Sequence, residues 1–475
     1  MKHKVIIRRC DHYDPQAIRA IVAQGLAELG VEPKGKILVK PNVVLAEPRI
    51  FPHAFTRAEF LEGVLLALGD RGVNLGQVAV GERSGITVPT RFCIKNAGYL
   101  PALERLGVAM RYFDEEPVVA RRLAHAGALR EETFFPQAVA EADFIVNLPK
   151  FKAHPWTRLT LSLKNYIGIQ DDRHRLLDHN TFLEHKIVDL NQAYGQGFIA
   201  IDAITAGQKM MLTPTPFHLG AVVMGVNPCA VDTVGCHMVN VDPADLIHLR
   251  MASERGLGPM DLAEIAVTGD FPLAEVQART KDFQFCLERV DDYFAGTPLR
   301  ATVGEFPEGH SRDYCWGGCP GALQEAVHII KGFYPDALEK MGKVRYVVGR
   351  VEGPLDLEPG EKVLFAGACT SWRGQINGQN VDIRPTYRPP AATDARHTRS
   401  NDMLLKTTQA LGNCLAHARR GWLAAPSCPV SVADHVNYLA ALGGVKNPNF
   451  DPRLVVPMTL AYAQMRFMRR KNRLK

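Results

Sequence analysis

Lys150, Lys152, Arg158 and Lys164 place four cations within fifteen residues, and no Asp or Glu occurs between Asp143 and Asp171. Cations without acids near them in sequence favour an anionic ligand, a carboxylate or phosphate, whose oxygens accept charge-assisted hydrogen bonds. His154 lies inside the run. An imidazole titrates near neutral pH, so His154 is a candidate acid–base catalyst, and a histidine that merely caps a turn or helix is the structural alternative. Lys164, ten residues on, is the second candidate catalytic group. A separate set of reactive residues lies beyond residue 310: Cys315 and Cys319 in Cys-Trp-Gly-Gly-Cys-Pro-Gly, Cys369 in Gly-Ala-Cys-Thr, and Cys428 in Ser-Cys-Pro. Thiolates on Gly- and Pro-shaped loops can reach an iron–sulfur cluster while backbone N–H groups point at its sulfides. A [4Fe–4S] cluster on Cys315, Cys319, Cys369 and Cys428 is therefore expected. Zinc is the competing metal, although its four-thiolate sites usually come as two short pairs, and four unrelated cysteines are the structural alternative. Cys414 is the substitute for Cys428. Cys10, Cys93, Cys229, Cys236 and Cys286 sit in apolar or unpunctuated contexts that suit packing.

These residues need a scaffold, and the first 270 or so positions supply one by alternating short apolar runs with helical patterns. That alternation predicts an α/β fold with a mostly parallel sheet flanked by helices. Strands are expected at 5–8, 36–40, 77–81, 144–147, 198–202 and 220–224, and helices at 17–29 and from Thr56 through Leu68. Thr56 and Glu59 have the spacing of a capping box. Several strands end in polar residues: Lys40 with Asn42, Glu82 with Arg83, Asn147 before Lys150, and Asp202. Converging at one sheet edge they would line a crevice, so Lys40, Asn42, Glu82, Lys150, Lys152 and Arg158 are candidate substrate-binding residues. Pro155 and Gly168 punctuate a helix over 155–166 with its N-terminus towards the anion. The alternation of Arg158, Thr160, Ser162 and Lys164 suits a strand instead, and the helix is favoured. Residues 171–186 are very polar and hold three histidines; a solvent-facing or substrate-covering loop is favoured over a metal site, because no pair has the spacing of a helical zinc motif.

From about residue 280 the character changes. A helical linker over 283–294 and a Gly/Pro-rich stretch to 310 lead to a second, smaller α/β region that carries the cysteines. There a helix from Ala322, strands at 344–348 and 362–365, a loop over 384–401 and a Ser431-capped helix through Leu442 are expected. The domains are thus read as 1–280, a linker 281–310, and 311–475. The 475 residues are 46% apolar and 22% charged, with no run long enough to span a bilayer and no signal peptide in Met1 to Arg8, so a cytoplasmic protein is expected. The net charge of +6 resides in the last ten residues, which hold six cations and no acid. The rest is neutral, which argues against nucleic acid as a partner; the tail is a solvated helix end or a contact to an anionic surface. Oligomeric state is not legible.

Lys40-Pro-Asn42, Gly81-Glu82, the Lys150 to Asn165 segment, Asn227-Pro-Cys-Ala-Val-Asp232 and Gly256-Leu-Gly258 together resemble the uncharacterised domain of unknown function 362 family over the N-terminal 270 residues. Members of that family are often fused to ferredoxin-like iron–sulfur segments, whose four-cysteine run is absent here. The cysteine layout is similar to that of the cluster ligands in hydrogenase-type small subunits. A more distant similarity is to the nickel-pincer lactate racemases. In their matching region a histidine does acid–base work and a lysine ten residues later holds the cofactor, the spacing of His154 and Lys164. Their acidic and arginine motif is replaced here by Lys40-Pro-Asn42. These readings imply an iron–sulfur redox-type enzyme acting on a small anionic metabolite, with a redox partner protein. The alternatives are a pincer-type isomerase and a non-catalytic electron carrier or scaffold.

Overall fold

The fold is built on strands apolar on both faces, such as Ile37-Leu-Val39 and Phe144-Ile-Val146, which are stable only when helices cover both sides of a sheet. A computed structural model describes residues 2–85, 88–123, 127–170, 175, 182–285, 289–307, 312–387 and 420–472. It divides into one unit of Met1–Phe285 with Met458–Lys475 and a second of Cys286–Pro457.

The first unit begins with β1 (His3–Arg9), α1 (Pro15–Glu28), β2 (Ile37–Pro41), α2 (Ala58–Asp70), β3 (Val78–Glu82), α3 (Thr90–Asn96), α4 (Leu100–Leu106) and β4 (Ala109–Tyr112). A small hairpin, β5 (Val118–Arg122) and β6 (Glu132–Pro136), precedes α5 (Gln137–Ala140). Then come β7 (Phe144–Leu148), β8 (Lys150–His154), β9 (Arg158–Thr160), α6 (Ser162–Asn165), α7 (Leu183–Ala193), β10 (Phe198–Gln208) and β11 (Thr215–Gly225). The unit continues through α8 (Pro228–Met238), α9 (Ile247–Glu254), β12 (Ile265–Thr268) and α10 (Leu273–Arg279). The main sheet runs β12-β1-β11-β10-β7-β2-β3-β4, and along this path only β11 is antiparallel to its neighbours. The mostly parallel α/β expectation holds. Helix α1 starts where Asp14 accepts from Gln16 N and Pro15 occupies the first turn, as capping chemistry favours. Helix α2 departs from the expected capping box. Arg57 is its N-cap and makes no side-chain cap, because Thr56 Oγ1 is taken by Asn42 N and Leu148 O, at 2.9 and 2.8 Å.

In the second unit α11 (Val290–Tyr293) and β13 (Leu299–Val303) lead to α12 (Arg312–Gly317), α13 (Cys319–Phe333), β14 (Val344–Arg350), β15 (Lys362–Ile376) and β16 (Gln379–Ile383). β17 (Trp422–Ala425), α14 (Val432–Gly443) and α15 (Pro452–Lys471) follow. β13, β14, β15 and β17 pair in parallel, and β16 folds back antiparallel on the far half of β15. Leu323, Val327, Val344, Tyr346, Leu364 and Leu439 form the core, each fully buried large side chain contributing about 1.5–3 kcal/mol. Ser431 caps α14 as expected, accepting from Asp434 N. The helical linker shrinks to α11, with 286–288 outside the described residues, as are 388–401 of the expected loop and Cys414. The Gly-rich turn at Cys315–Cys319 is instead a break of one residue, Gly318, between two helices, with Pro320 at a position that suits a helix start. The basic end of the chain is helical to Lys471, where Arg469, Arg470 and Lys471 oppose the negative end of the helix dipole. From Met458 on it groups with the first unit rather than with 311–457. No described helix is long and apolar enough to cross a membrane.

Candidate functional site

The cationic stretch is a hairpin, not a helix. β8 pairs in parallel with β10, Lys150 opposite Asp202, and antiparallel with β9, so that His154 faces Arg158. The alternation of polar and apolar residues prevails over the Pro155 and Gly168 punctuation because Leu159 and Leu161 must both be buried. His154 closes the turn: Trp156 N and Thr157 N donate to its Nδ1 at 3.2 and 3.3 Å, which assigns the proton of the neutral ring to Nε2. Arg158 follows at φ 59°. The helix begins only at Ser162, where Asp232 of α8 serves as a cap from a distant element. It accepts from Ser162 N at 2.8 Å, Leu163 N at 3.0 Å and Ser162 Oγ at 2.5 Å. Burial raises the Asp232 carboxyl to about 7, against the pull of those donors.

Around α6 the polar strand ends converge. Lys40 Nζ donates to Glu82 Oε2 at 2.8 Å, Pro41 O at 2.9 Å and Asn165 Oδ1 at 3.2 Å, and both members of the ion pair are buried. Burial pushes the lysine down and the carboxylate up, while their mutual attraction resists both shifts. Asn165 Oδ1 also accepts from Asn42 Nδ2 at 2.8 Å, and Asn165 Nδ2 donates to Asn147 Oδ1 at 2.7 Å. Asn147 Nδ2 in turn reaches Gln196 Oε1 at 2.7 Å and Ser162 O at 2.9 Å. The ends of β2, β3 and β7 are thus locked to one short helix by a buried network in which Asn165 is the hub. Gly168 has no room for a side chain: a Cβ there would stand 2.8 Å from Lys40 Nζ and against Glu82.

Most of the cations expected to await an anion already have protein partners from elements far away in sequence. Lys150 Nζ donates to Asp202 Oδ2 at 2.9 Å and to the Tyr13 hydroxyl at 2.8 Å, and Tyr13 donates to Asp202 Oδ1 at 2.9 Å. Lys152 Nζ donates to the carbonyls of Ala54 and Met211 at 2.8 and 2.9 Å. Arg158 Nη1 pairs with Asp245 at 3.1 Å. The absence of acids between Asp143 and Asp171 therefore does not leave these side chains unpaired.

Lys164 differs. It is buried, and among the described residues no hydrogen bond or ion pair satisfies its ammonium. Burial first, then the neighbouring charges of Arg175 and Lys40, lower it to about 7, with Glu184 opposing. His248 on α9 is buried beside it, neither ring nitrogen having a partner. Burial and the charge of Lys164 lower that imidazole to about 3. The sequence reading missed His248, a lone histidine in Leu-Ile-His-Leu that carries no motif.

All of this network except Tyr13, Asp245 and His248 lies within one stretch of chain. Residues 37–237 match the family model DUF362, a domain of unknown function. Beyond the DUF362 domain itself, the chain is similar to the Thylakoid-associated protein sll1697 of Synechocystis sp., 24% identical over 272 residues, 54% of this chain and 81% of that one. Among solved structures it is similar to the lactate racemase apoprotein of Thermoanaerobacterium thermosaccharolyticum, at 12% identity over 72% of this chain and 68% of that one, with a TM-score of 0.33. A Thermotoga maritima protein overlaps at 12% identity over 74% and 75%, with a TM-score of 0.32.

Outside the DUF362 domain, Cys315, Cys319, Cys369 and Cys428 gather from separate elements. β15 carries a bulge: Ala366 pairs with Val348 and Ser371 with Arg350, so Gly367 to Thr370 face Gly349 alone. Such bulges re-aim side chains. A Cβ on Gly367, whose φ is 106°, would stand 3.4 Å from Cys319 Sγ and 3.5 Å from Cys369 Sγ. Cys319, at the start of α13, accepts from Val430 N at 3.4 Å. Burial raises the Cys315 thiol to about 12, helped by the nearness of Cys369 and Cys428. Burial likewise raises Cys369, against hydrogen bonds from the backbone of Cys369 and Gly349 and from Thr370. Cys319 is buried, Cys315 and Cys369 are half-buried and Cys428 is exposed. Among the described residues no three His, Cys, Asp or Glu side chains stand close enough to hold one metal ion. The four thiols lie near enough for Cys369 and Cys428 to raise both Cys315 and Cys319. Of the polar 171–186 stretch, 171–174 and 176–181, with His174 and His179, lie outside the described residues. Cys10, Cys93, Cys229 and Cys236 are buried, and Cys286 lies outside the described residues.

Proposed function

We propose that this protein is an iron–sulfur redox enzyme. Its second unit would hold a [4Fe–4S] cluster on Cys315, Cys319, Cys369 and Cys428, and its DUF362 domain would bind a small anionic metabolite beside Lys164. The observation that carries the reading is the nearness of the four thiols to one another, with the Cys319 and Cys369 sulfurs bordering the space that a side chain on Gly367 would fill. An all-thiolate donor set suits a soft metal centre. Four-thiolate zinc sites usually come as two short sequence pairs, which these cysteines do not form, and that favours a cluster over zinc. Backbone N–H groups at Val430 and Gly349 supply the hydrogen bonds that stabilise sulfur charge and tune such centres. A bound cluster would supply one-electron transfer, and the exposed Cys428 marks the edge at which a redox partner protein would approach.

The test is anaerobic purification or reconstitution of the full chain, followed by absorbance and electron paramagnetic resonance spectra before and after dithionite. A brown protein that bleaches on reduction and gains a paramagnetic signal is expected, with the signal lost in Cys319→Ser. A folded, colourless chain that cannot be reconstituted would remove the reading.

A further inference from the structure

Helix α15 carries apolar residues on two faces and packs only one of them. Ala461 and Met465 are buried, Met468 is half-buried, and Asn472, just past the helix end, donates from Nδ2 to Glu115 O at 2.8 Å. These four recur at i, i+4, i+7 and i+11, which makes them one face. Leu460, Ala463 and Phe467 recur at i, i+3 and i+7, roughly 140° round the helix from that face, and all three are exposed. At 62% and 67%, Leu460 and Phe467 are the most exposed large apolar side chains among the described residues. A helix that only packs on its own domain needs one apolar stripe and turns polar residues to water, so the second stripe has no use within the folded chain. Its end is cationic. Arg470 and Lys471, both exposed, lie three and four residues beyond Phe467 and so stand next to it on the same side of the helix. No acid follows Asp451, and the last ten residues hold six Lys and Arg. The negative end of a helix dipole amounts to about half a charge, which answers only a fraction of that cluster.

We propose that α15 from Leu460 to Lys471 is an interfacial helix that docks the protein on an anionic phospholipid bilayer. Leu460, Ala463 and Phe467 enter the boundary between headgroups and acyl chains, and Arg470 and Lys471 meet the lipid phosphates. A bilayer offers an apolar layer directly beneath a plane of negative charge, which matches an apolar stripe bordered by cations. Other partners match half of this surface. Nucleic acid answers the charge and leaves the apolar stripe in water. A second copy of this chain answers the stripe, but its own α15 brings no acid to meet the cations, because none follows Asp451.

The test is flotation of the full chain with vesicles of equal parts phosphatidylcholine and phosphatidylglycerol, at low and high salt, against vesicles of phosphatidylcholine alone. The wild type should float with the anionic vesicles, stay behind with the neutral ones, and bind less as salt screens the exposed charges. At about fivefold per charge, Arg470→Gln with Lys471→Gln should weaken partitioning roughly thirtyfold at low salt. Leu460→Ser with Phe467→Ser should weaken it at least about tenfold through lost apolar burial. Lys34→Gln with Lys340→Gln removes the same charge from exposed positions elsewhere and should change little. The substituted side chains at 460, 467, 470 and 471 are exposed, and thermal unfolding checks that each variant folds. A folded wild type that does not bind, full binding by the Leu460→Ser and Phe467→Ser variant, or an equal loss in the Lys34→Gln and Lys340→Gln control would overturn the proposal. A lipid-free dimer abolished by Leu460→Ser with Phe467→Ser would overturn it too, by assigning the stripe to a second copy.

Discussion

Replacing Lys164 by methionine should stabilise the first unit, and by an amount that depends on pH. Methionine keeps the length of the side chain and fills the same space, so little packing is lost. The lysine titrates near 10.5 in an unfolded chain and near 7 in the folded one. At about 1.36 kcal/mol per pH unit, holding it charged in the interior costs roughly 5 kcal/mol once both states are protonated, near pH 6. A folded pKa below the unfolded one means the folded state binds fewer protons between pH 7 and 10.5. Wild-type stability therefore rises with pH across that window, and by pH 9 the cost falls to roughly 2 kcal/mol. The advantage of Lys164→Met should shrink by about 2–3 kcal/mol between pH 6 and pH 9. Asp232 and the buried cysteines also titrate, but they are common to both proteins and cancel in the difference. Because the chain has two units, the assay is urea-dependent hydrogen exchange of peptides from β7 and β10, in a buffer free of small carboxylates and phosphate. A pH-independent difference, or a variant less stable than wild type at pH 6, would refute the reasoning.

Three further outcomes follow from the same geometry. Glu82→Gln leaves the buried Lys40 ammonium without its counter-charge and should cost about 3–5 kcal/mol in the same exchange assay, whereas Lys40→Met with Glu82→Leu should cost clearly less. Gly168→Ala forces a methyl against Glu82 and Lys40 and should cost about 1–3 kcal/mol, with the loss reduced in the Lys40→Met background. Gly367→Ala places a methyl between two sulfurs at a φ that disfavours a side chain, and should lower iron retained after gel filtration while leaving exchange in the DUF362 domain unchanged.

The parallel sheet was legible because its strands are short continuous apolar runs, a pattern that solvent-facing strands cannot carry. Their polar ends were legible too, and Lys40, Asn42, Glu82 and Asn147 do meet around Asn165. What they do there was not legible, because the partners that neutralise them, Asp202 for Lys150 and Asp245 for Arg158, lie 52 and 87 residues away. A charge count over a local window treats such cations as available. The 155–166 segment failed for a related reason: its helix punctuation is local, whereas the pairing of β8 with β10 and the cap from Asp232 are tertiary. His248 had no signal at all, since a single histidine flanked by Leu246, Ile247 and Leu249 reads as core. The cysteines stood out through their Gly and Pro neighbours, but the bulge that carries Cys369 follows from strand register, which no single stretch of sequence reveals.

The most direct measurement is the iron and acid-labile sulfide content of anaerobically reconstituted full-length protein, for wild type, Cys369→Ala and Cys10→Ser. The cluster account predicts about four irons and four sulfides per chain in wild type and in Cys10→Ser, with a marked loss in Cys369→Ala. Full iron retained by Cys369→Ala, or a folded wild-type chain without iron, would contradict it.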